Sequence, residues 1–184
     1  MTFPIVAERP QDAALLDSLL DRTFGTDRYK KTVYRLREGM APLVQLCFVA
    51  VGVQGEMLGS LRFWPICIGD TRGLLLGPLA VEPALQGLGI GRALVRHSLN
   101  EARRLGERIC VAVGEPPYYE PFGFVNAGAA GLRLPGPVAA HRFQVLALVP
   151  GALKGASGLI RRADEAAVVP ARGGGRRVRI KAAR

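Results

Sequence analysis

Apolar residues first recur at helical spacing. Between residues 11 and 24, Leu15, Leu16, Leu19, Leu20 and Phe24 fall three and four apart behind Pro10 and Asp12, so one stripe of a helix can face a core. Gly25 punctuates, and the basic run Arg28–Arg37 predicts a second helix before Gly39 and Pro42. Then the period changes. LVQLCFVAV (43–51) and MLGSLRFWPI (57–66) flank a turn containing Gly52 and Gly55, the pattern of an antiparallel strand pair. GLLLGPLAV (73–81) reads as a third strand, apolar almost throughout and interrupted by Gly77-Pro78.

After Glu82-Pro83 a glycine-rich stretch, Gln86–Gly91, leads into a helix reaching Leu105. Its apolar stripe is Ile90, Leu94, Val95, Ala102 and Leu105, with Arg92, Arg96 and Arg103 facing away. RICVAV (108–113) follows as a strand, and a strand–helix–strand unit implies parallel neighbours joined by a right-handed crossover. Two more strands are predicted at 124–132 and 143–149, and the apolar pattern fades beyond Pro150. The expectation is one mixed α/β domain over residues 1–160, with a basic, flexible tail over 161–184 marked by Gly173-Gly174-Gly175.

Charge changes this picture only at the end of the chain. Of the formal net charge of +10, the segment 161–184 supplies +6 through eight basic residues against Asp164 and Glu165. Such a tail tolerates polyanions without identifying one; it lacks the interleaved aromatics of a nucleic-acid module, so no nucleic-acid partner is expected. Three well-separated cysteines (Cys47, Cys67, Cys110) argue against a disulfide framework, and His97 and His141 have no partners at metal-ligand spacing, so no metal is expected. The N-terminus lacks the charged and apolar regions of a secretory signal, and no apolar run approaches the ~20 residues of a spanning helix. A cytoplasmic monomer or homodimer is expected.

The candidate chemistry lies in the turn Gln86-Gly87-Leu88-Gly89-Ile90-Gly91. A helix start leaves about four backbone N–H groups without partners and carries about half a positive charge. Glycines, not capping side chains, occupy this start, so backbone can approach an anion such as a diphosphate closely. A dinucleotide fold would place such a turn after its first strand, with an acid ~20 residues on, and a nucleotide P-loop would need GxxxxGK[ST]. Neither pattern is present.

Gln86-x-x-Gly89-x-Gly91 after a strand ending Leu79-Ala80-Val81 resembles the acetyl-CoA signature of the GNAT superfamily of N-acetyltransferases. Tyr118-Tyr119-Glu120-Pro121-Phe122-Gly123-Phe124 is similar to that superfamily's second signature, a tyrosine followed four residues later by Gly-Phe. The resemblance spans roughly residues 3–150, with both signatures in the family's order. Glu115-Pro116-Pro117 stands where many relatives carry an asparagine, and resembles a bacterial branch of predicted acetyltransferases.

The resemblance implies a mostly antiparallel sheet whose central parallel pair splays to admit acetyl-CoA, with helices on both faces. Leu79, Ala80 and Val81 would then face the pantetheine arm, and Gln86, Gly87, Leu88, Gly89, Ile90, Gly91 and Arg92 the diphosphate. Gly77-Pro78 suits a bulge beside the opening. Tyr119 is implied as general acid toward the leaving thiolate, with Tyr118 fitting better the packing role against the Gly-Phe corner; Glu82 or Glu115, both just past strand ends, are the candidate bases. The acceptor, a small-molecule amine or a peptide or protein amine, would enter between Phe24–Met40 and Gly131–Arg142, where Arg28, Lys30, Lys31 and Arg35 add positive charge. A non-catalytic acyl-CoA sensor is the alternative.

Overall fold

The computed structural model describes residues 3–163. In chain order the elements are β1 (Ile5–Ala7), α1 (Ala13–Phe24), α2 (Thr32–Arg35), β2 (Phe48–Val51), β3 (Met57–Ile68), β4 (Thr71–Val81), α3 (Ile90–Arg104), β5 (Ile109–Val113), α4 (Pro116–Tyr119), β6 (Val125–Asn126), β7 (Leu132–Arg133), β8 (Phe143–Ala147) and β9 (Gly158–Arg162). The strands lie in the order β1-β2-β3-β4-β5-β8-β6, with β9 on β3 and β7 on β9. The β4–β5 pair is parallel, as the crossover through α3 requires, and so is the two-residue contact of β7 with β9; the other pairs are antiparallel.

Both faces of the sheet are covered, which explains the near-continuous apolar run of β4. Leu74, Leu76, Cys110 and Ala112 point into one cluster with Ile90, Leu94, Val95, Leu99 and Ala102 of α3. Their neighbours Leu75, Ile109 and Val111 point the other way, into a cluster with Leu36, Val145 and Ile160. On that second face, farther along β4, Ala80 is covered by Leu16, Leu19 and Leu20 of α1. The α3 stripe is as expected except at its end, where Leu105 lies past the last turn and is exposed, while Leu99 completes the buried face.

Several predicted elements differ. The helix expected over 28–37 is a 3-10 turn at Thr26–Lys30 followed by the single turn of α2. Lys31 between them is extended, and Thr32 sends its hydroxyl to the Pro137 carbonyl at 2.8 Å, so a tertiary bond ends what propensity would continue. The strand expected over 43–51 begins with a 3-10 turn at Val44–Leu46, and that expected over 124–132 survives only as the two short strands β6 and β7. Residues 161–163, assigned to the tail, belong to the fold: Ile160 and Ala163 are buried, and Arg161 and Arg162 pair in β9 with Cys67 and Ile66. The rest of that predicted tail, 164–184, is outside the described residues.

Where α3 packs on β3, Gly59 leaves no room for a side chain. A methyl there would lie 2.9 Å from the Ala80 carbonyl, 3.1 Å from Leu94 Cδ1 and 3.2 Å from Ile90 Cγ2. Gly59→Val is therefore expected to push α3 off the sheet and lower stability by about 1–3 kcal/mol in urea denaturation. Leu105→Ala, on the exposed end of the same helix, should change it by less than about 0.5 kcal/mol.

Candidate active site

The parallel pair at the centre of the sheet is short. β4 and β5 match only at Leu74↔Cys110 and Leu75↔Val111, although β4 runs on to Val81 and β5 to Val113. The divergence starts where β4 bulges. Against β3, Leu61 faces Leu79 but Phe63 faces Leu76, so one residue of β3 spans the two residues Gly77-Pro78. Gly77 adopts φ +113°, which a side-chain-bearing residue rarely does, and proline next to it has no amide for the ladder. The bulge predicted at this dipeptide is present, and the strands part beyond it.

Past the end of β4 the chain turns into α3 through Gly87 (φ +84°) and Gly89 (φ +87°), the residue capping the helix. No side chain caps this start. The Ala93 N–H, bonded to the Gly89 carbonyl at 2.9 Å, is the first α3 amide with a backbone partner, which leaves those of Ile90, Gly91 and Arg92 without one among the described residues. A methyl on Gly87 or Gly89 would meet nothing within 4 Å. Open space and unpaired amides together make a cradle for an anion.

That cradle opens into a cavity of about 780 Å³ lined by Leu79, Val81, Gln86, Gly91, Arg92 and Tyr118. A second cavity of about 930 Å³ shares Phe24, Leu79, Gln86 and Tyr118 with it and extends past the bulge to Tyr119, Val113 and Glu115. The two form one cleft over the gap between β4 and β5. Its far wall is the one expected for an acceptor: Lys30–Tyr34 and Arg37 on one side, Pro137–Ala139 and Arg142 on the other. Of the residues predicted for the cofactor through their main chain, Ala80 points its side chain into the α1 core and Leu88 leaves its own exposed, while Leu79, Val81, Gln86, Gly87, Gly89, Ile90, Gly91 and Arg92 line the cleft.

The tyrosines divide differently from the sequence reading. Tyr119 is 7% exposed and packs edge-on against Phe124 at 5.3 Å, so the contact with the Gly-Phe corner is its own. Tyr118 stacks toward Phe122 at 6.3 Å, and its hydroxyl lies beside Gly91 at the start of α3. Burial pushes the Tyr118 phenol up to about 12, opposed by Arg92. Burial also raises Tyr119, helped by Tyr118 and Cys110 and opposed by Arg142 and Arg37.

The two candidate bases are both ion-paired. Glu82 takes hydrogen bonds from Arg22 Nη2 (2.9 Å) and Nε (3.2 Å), tying α1 to the end of β4, and is not part of the cleft lining. Glu115 does line the cleft, with Arg142 Nε at 2.9 Å and His141 Nε2 at 3.7 Å. Of the basic residues singled out near the acceptor wall, Arg28 is buried against Asp21, Lys30 pairs with Asp27 at 3.1 Å, and Lys31 lies over the Phe24 ring at 5.1 Å. Arg37, which the sequence reading passed over, is more deeply placed than Lys30, Lys31 or Arg35: it is 8% exposed, and burial lowers its guanidinium to about 10. Among the described residues no three His, Cys, Asp or Glu side chains gather as metal ligands would, and no helix is long and apolar enough to cross a membrane.

Comparison with known proteins agrees with this geometry. The family model for the acetyltransferase (GNAT) domain matches residues 44–126. The uncharacterized N-acetyltransferase YhbS of Escherichia coli (strain K12) is 35% identical over 158 residues, covering 85% of this chain and 93% of that protein. The crystal structure of YhbS from Escherichia coli in complex with CoA has a TM-score of 0.76 at 34% identity, covering 88% of this chain and 89% of the other. A GNAT family acetyltransferase from Brucella melitensis, solved in complex with acetyl-CoA, has a TM-score of 0.62 at 32% identity, covering 81% of this chain and 90% of its own. A split central strand pair beside a glycine-capped helix, and a relative this similar over most of both chains, place the chain in the GNAT family of N-acetyltransferases.

Proposed function

We propose that the protein moves the acetyl group of acetyl-CoA to an amine held in the cleft. The observation that carries this reading is the opening between β4 and β5 directly beside the unpaired amides of α3. It offers a slot for an extended thioester arm and an anion cradle at one end of that slot. The CoA and acetyl-CoA complexes of the two similar structures support the same occupant.

In this reading the amides of Ile90, Gly91 and Arg92 take the diphosphate, and the β4 edge from Leu79 to Val81 lines the pantetheine arm. The acceptor amine, unprotonated, attacks the thioester carbonyl. A C–N bond forms and the tetrahedral oxyanion draws on a backbone N–H near Leu79. The C–S bond then breaks, and Tyr119 supplies a proton to the departing thiolate. Burial keeps that phenol protonated, while Arg37 and Arg142 pull against burial and ease the release. Tyr118, with its hydroxyl at Gly91, serves the diphosphate end of the cleft. Glu115 is the carboxylate placed to receive the amine proton, directly or through water; Glu82, held by Arg22, is a strut between α1 and β4.

Three outcomes test this. Tyr119→Phe should cut acetyl-CoA turnover, read as thiol release, by about 10²–10⁴-fold, with CoA affinity by calorimetry within about threefold of the parent; unchanged turnover removes Tyr119 from the chemistry and favours a sensor. Gly89→Ala puts a side chain at φ +87° and into the cradle. Stability should fall by only about 1–2 kcal/mol, whereas CoA affinity should fall at least about tenfold, the loss of one charge-assisted contact. The tyrosines also predict an alkaline limit. With Tyr118 and Tyr119 raised in the folded chain, their contribution is full below the unfolded phenol value of about 10 and is lost as pH climbs toward the folded values. Urea midpoints should drop from pH 9 to pH 11, and drop less in Tyr119→Phe.

A further inference from the structure

The cleft continues behind the bulge into a third cavity of about 430 Å³, and Tyr34, Arg37 and Pro78 line both. Of the four arginines lining this cavity Arg35 is exposed, and the other three differ in one respect. Arg28 is answered by Asp21, with Asp17 also at 3.9 Å, and Arg62 by Glu8, whose Oε2 accepts from Arg62 Nε at 2.7 Å. Arg37 has no such answer. The groups acting on it are the phenols of Tyr34 and Tyr119, its Nε is buried without a hydrogen-bond acceptor, and among the described residues no carboxylate lies within 4 Å of it. The acids on the cavity wall, Asp17 and Glu38, are exposed at its outer side.

Two further donors surround this guanidinium. Tyr34 Oη and Trp64 Nε1 are both buried without hydrogen-bond partners, and Arg37 lies over their rings at 4.9 and 5.9 Å. Aromatic faces return part of the cost of removing a cation from water, yet leave its N–H groups unsatisfied. Three buried polar groups around one positive charge, with the Tyr34 phenol oxygen as a nearby acceptor but no carboxylate among the described residues to meet the charge, describe a site for a planar oxyanion. Its position relates it to the reaction: Arg37 Nη2 lies within 3.0 Å of where a methyl on Gly77 would be. The cation therefore stands at the bulge itself, at the opposite end of the gap from the α3 cradle.

Building on the acetyltransferase reading, we propose that Arg37, with Tyr34 Oη and Trp64 Nε1, binds a carboxylate carried by the acceptor and so selects amines of amino-acid type. The carboxylate sits behind Gly77-Pro78 and the amino group faces the gap. Arg37 is then a specificity-determining residue, and Lys31 on the cleft wall, which no carboxylate meets among the described residues, favours the same acidic class of acceptor.

The test uses the full chain with acetyl-CoA and matched acceptors: amino acids, their carboxamides and the corresponding decarboxylated amines, with O-phosphoethanolamine as a phosphate-bearing probe. Free acids should exceed their amides in kcat/KM by about 10- to 100-fold, the span of a charge-assisted hydrogen-bond pair. Arg37→Met should collapse that ratio by raising KM for the free acids and not for their amides, with any fall in kcat shared by both, while CoA affinity by calorimetry is kept. Should Arg37→Met not fold, Trp64→Phe removes one N–H and should narrow the ratio severalfold. Binding of N-acetyl amino acids to the CoA-saturated protein, over that of N-acetyl amino acid amides, is the second readout if turnover is slow. Equal use of acids and amides with no preferential binding of N-acetyl acids, a preference for O-phosphoethanolamine over every carboxylate, or loss of CoA affinity in Arg37→Met overturns the inference. A parent protein that takes up no CoA would sink the acetyltransferase reading itself, whereas CoA uptake without acid preference sinks only the carboxylate site.

Discussion

Two central strands that pair at two positions and then separate set the terms for everything around them. A sheet interior normally satisfies each main-chain N–H and C=O across the ladder. Here β4 bulges at Gly77-Pro78 and leaves β5 before either strand has ended, so backbone that would be paired faces a cleft instead. The start of α3 lies at the edge of the same opening with three amides unpaired. Main-chain polarity that the fold leaves unmatched is thus concentrated along one line, and an extended ligand with an anionic end is the shape that matches it.

Holding that opening apart requires rigid packing on both sides. On one face the stripe Ile90, Leu94, Val95, Leu99 and Ala102 seats α3 on β3, and the missing side chain at Gly59 lets the helix come close enough to aim its first turn at the gap. On the other, Leu16, Leu19 and Leu20 of α1 cover Ala80, the residue between the two that face the cleft. Arg22 of α1 then grips Glu82 immediately after the strand. Alternation along Leu79-Ala80-Val81 therefore divides the work: outer positions line the cleft and the middle one anchors the strand.

Features fixed by local chemistry were legible in the sequence. The glycine turn, the Gly77-Pro78 interruption, the α3 stripe and the order of the central strands rest on backbone freedom and period, and all four appear in the structure. Features that depend on distant partners were not. Glu82 looked like a free carboxylate at a strand end because nothing local points to Arg22, sixty residues earlier. β1 is a short edge strand and β9 a short strand between β3 and β7, and the few residues of each carry no clear alternation. The run 28–37 has helical composition, but the Thr32 to Pro137 bond and buried Arg28 and Arg37 divide it between two turns. Arg37 was hidden for the same reason: in a run of cations, the one turned inward cannot be told from those facing water.

The two positive poles of the cleft have a joint electrostatic consequence. One is made of main-chain dipoles at α3 and the other is the guanidinium of Arg37 beside Gly77, and in the proposed reaction the reacting atoms fall between them. Low dielectric strengthens both fields at that point. A second cation there is disfavoured, so an acceptor ammonium with an ordinary value of about 10.4 would give up its proton more readily inside the cleft than in water. An oxyanion forming at the thioester carbon is favoured by the same fields. Neutralising the poles with a diphosphate at one end and a carboxylate at the other weakens both effects, but it also draws substrates in and fixes their spacing. Binding and activation thus compete for the same charges. In the proposed arrangement the acceptor's carboxylate holds Arg37 from the cavity behind the bulge, where it aligns the amine without screening the carbonyl.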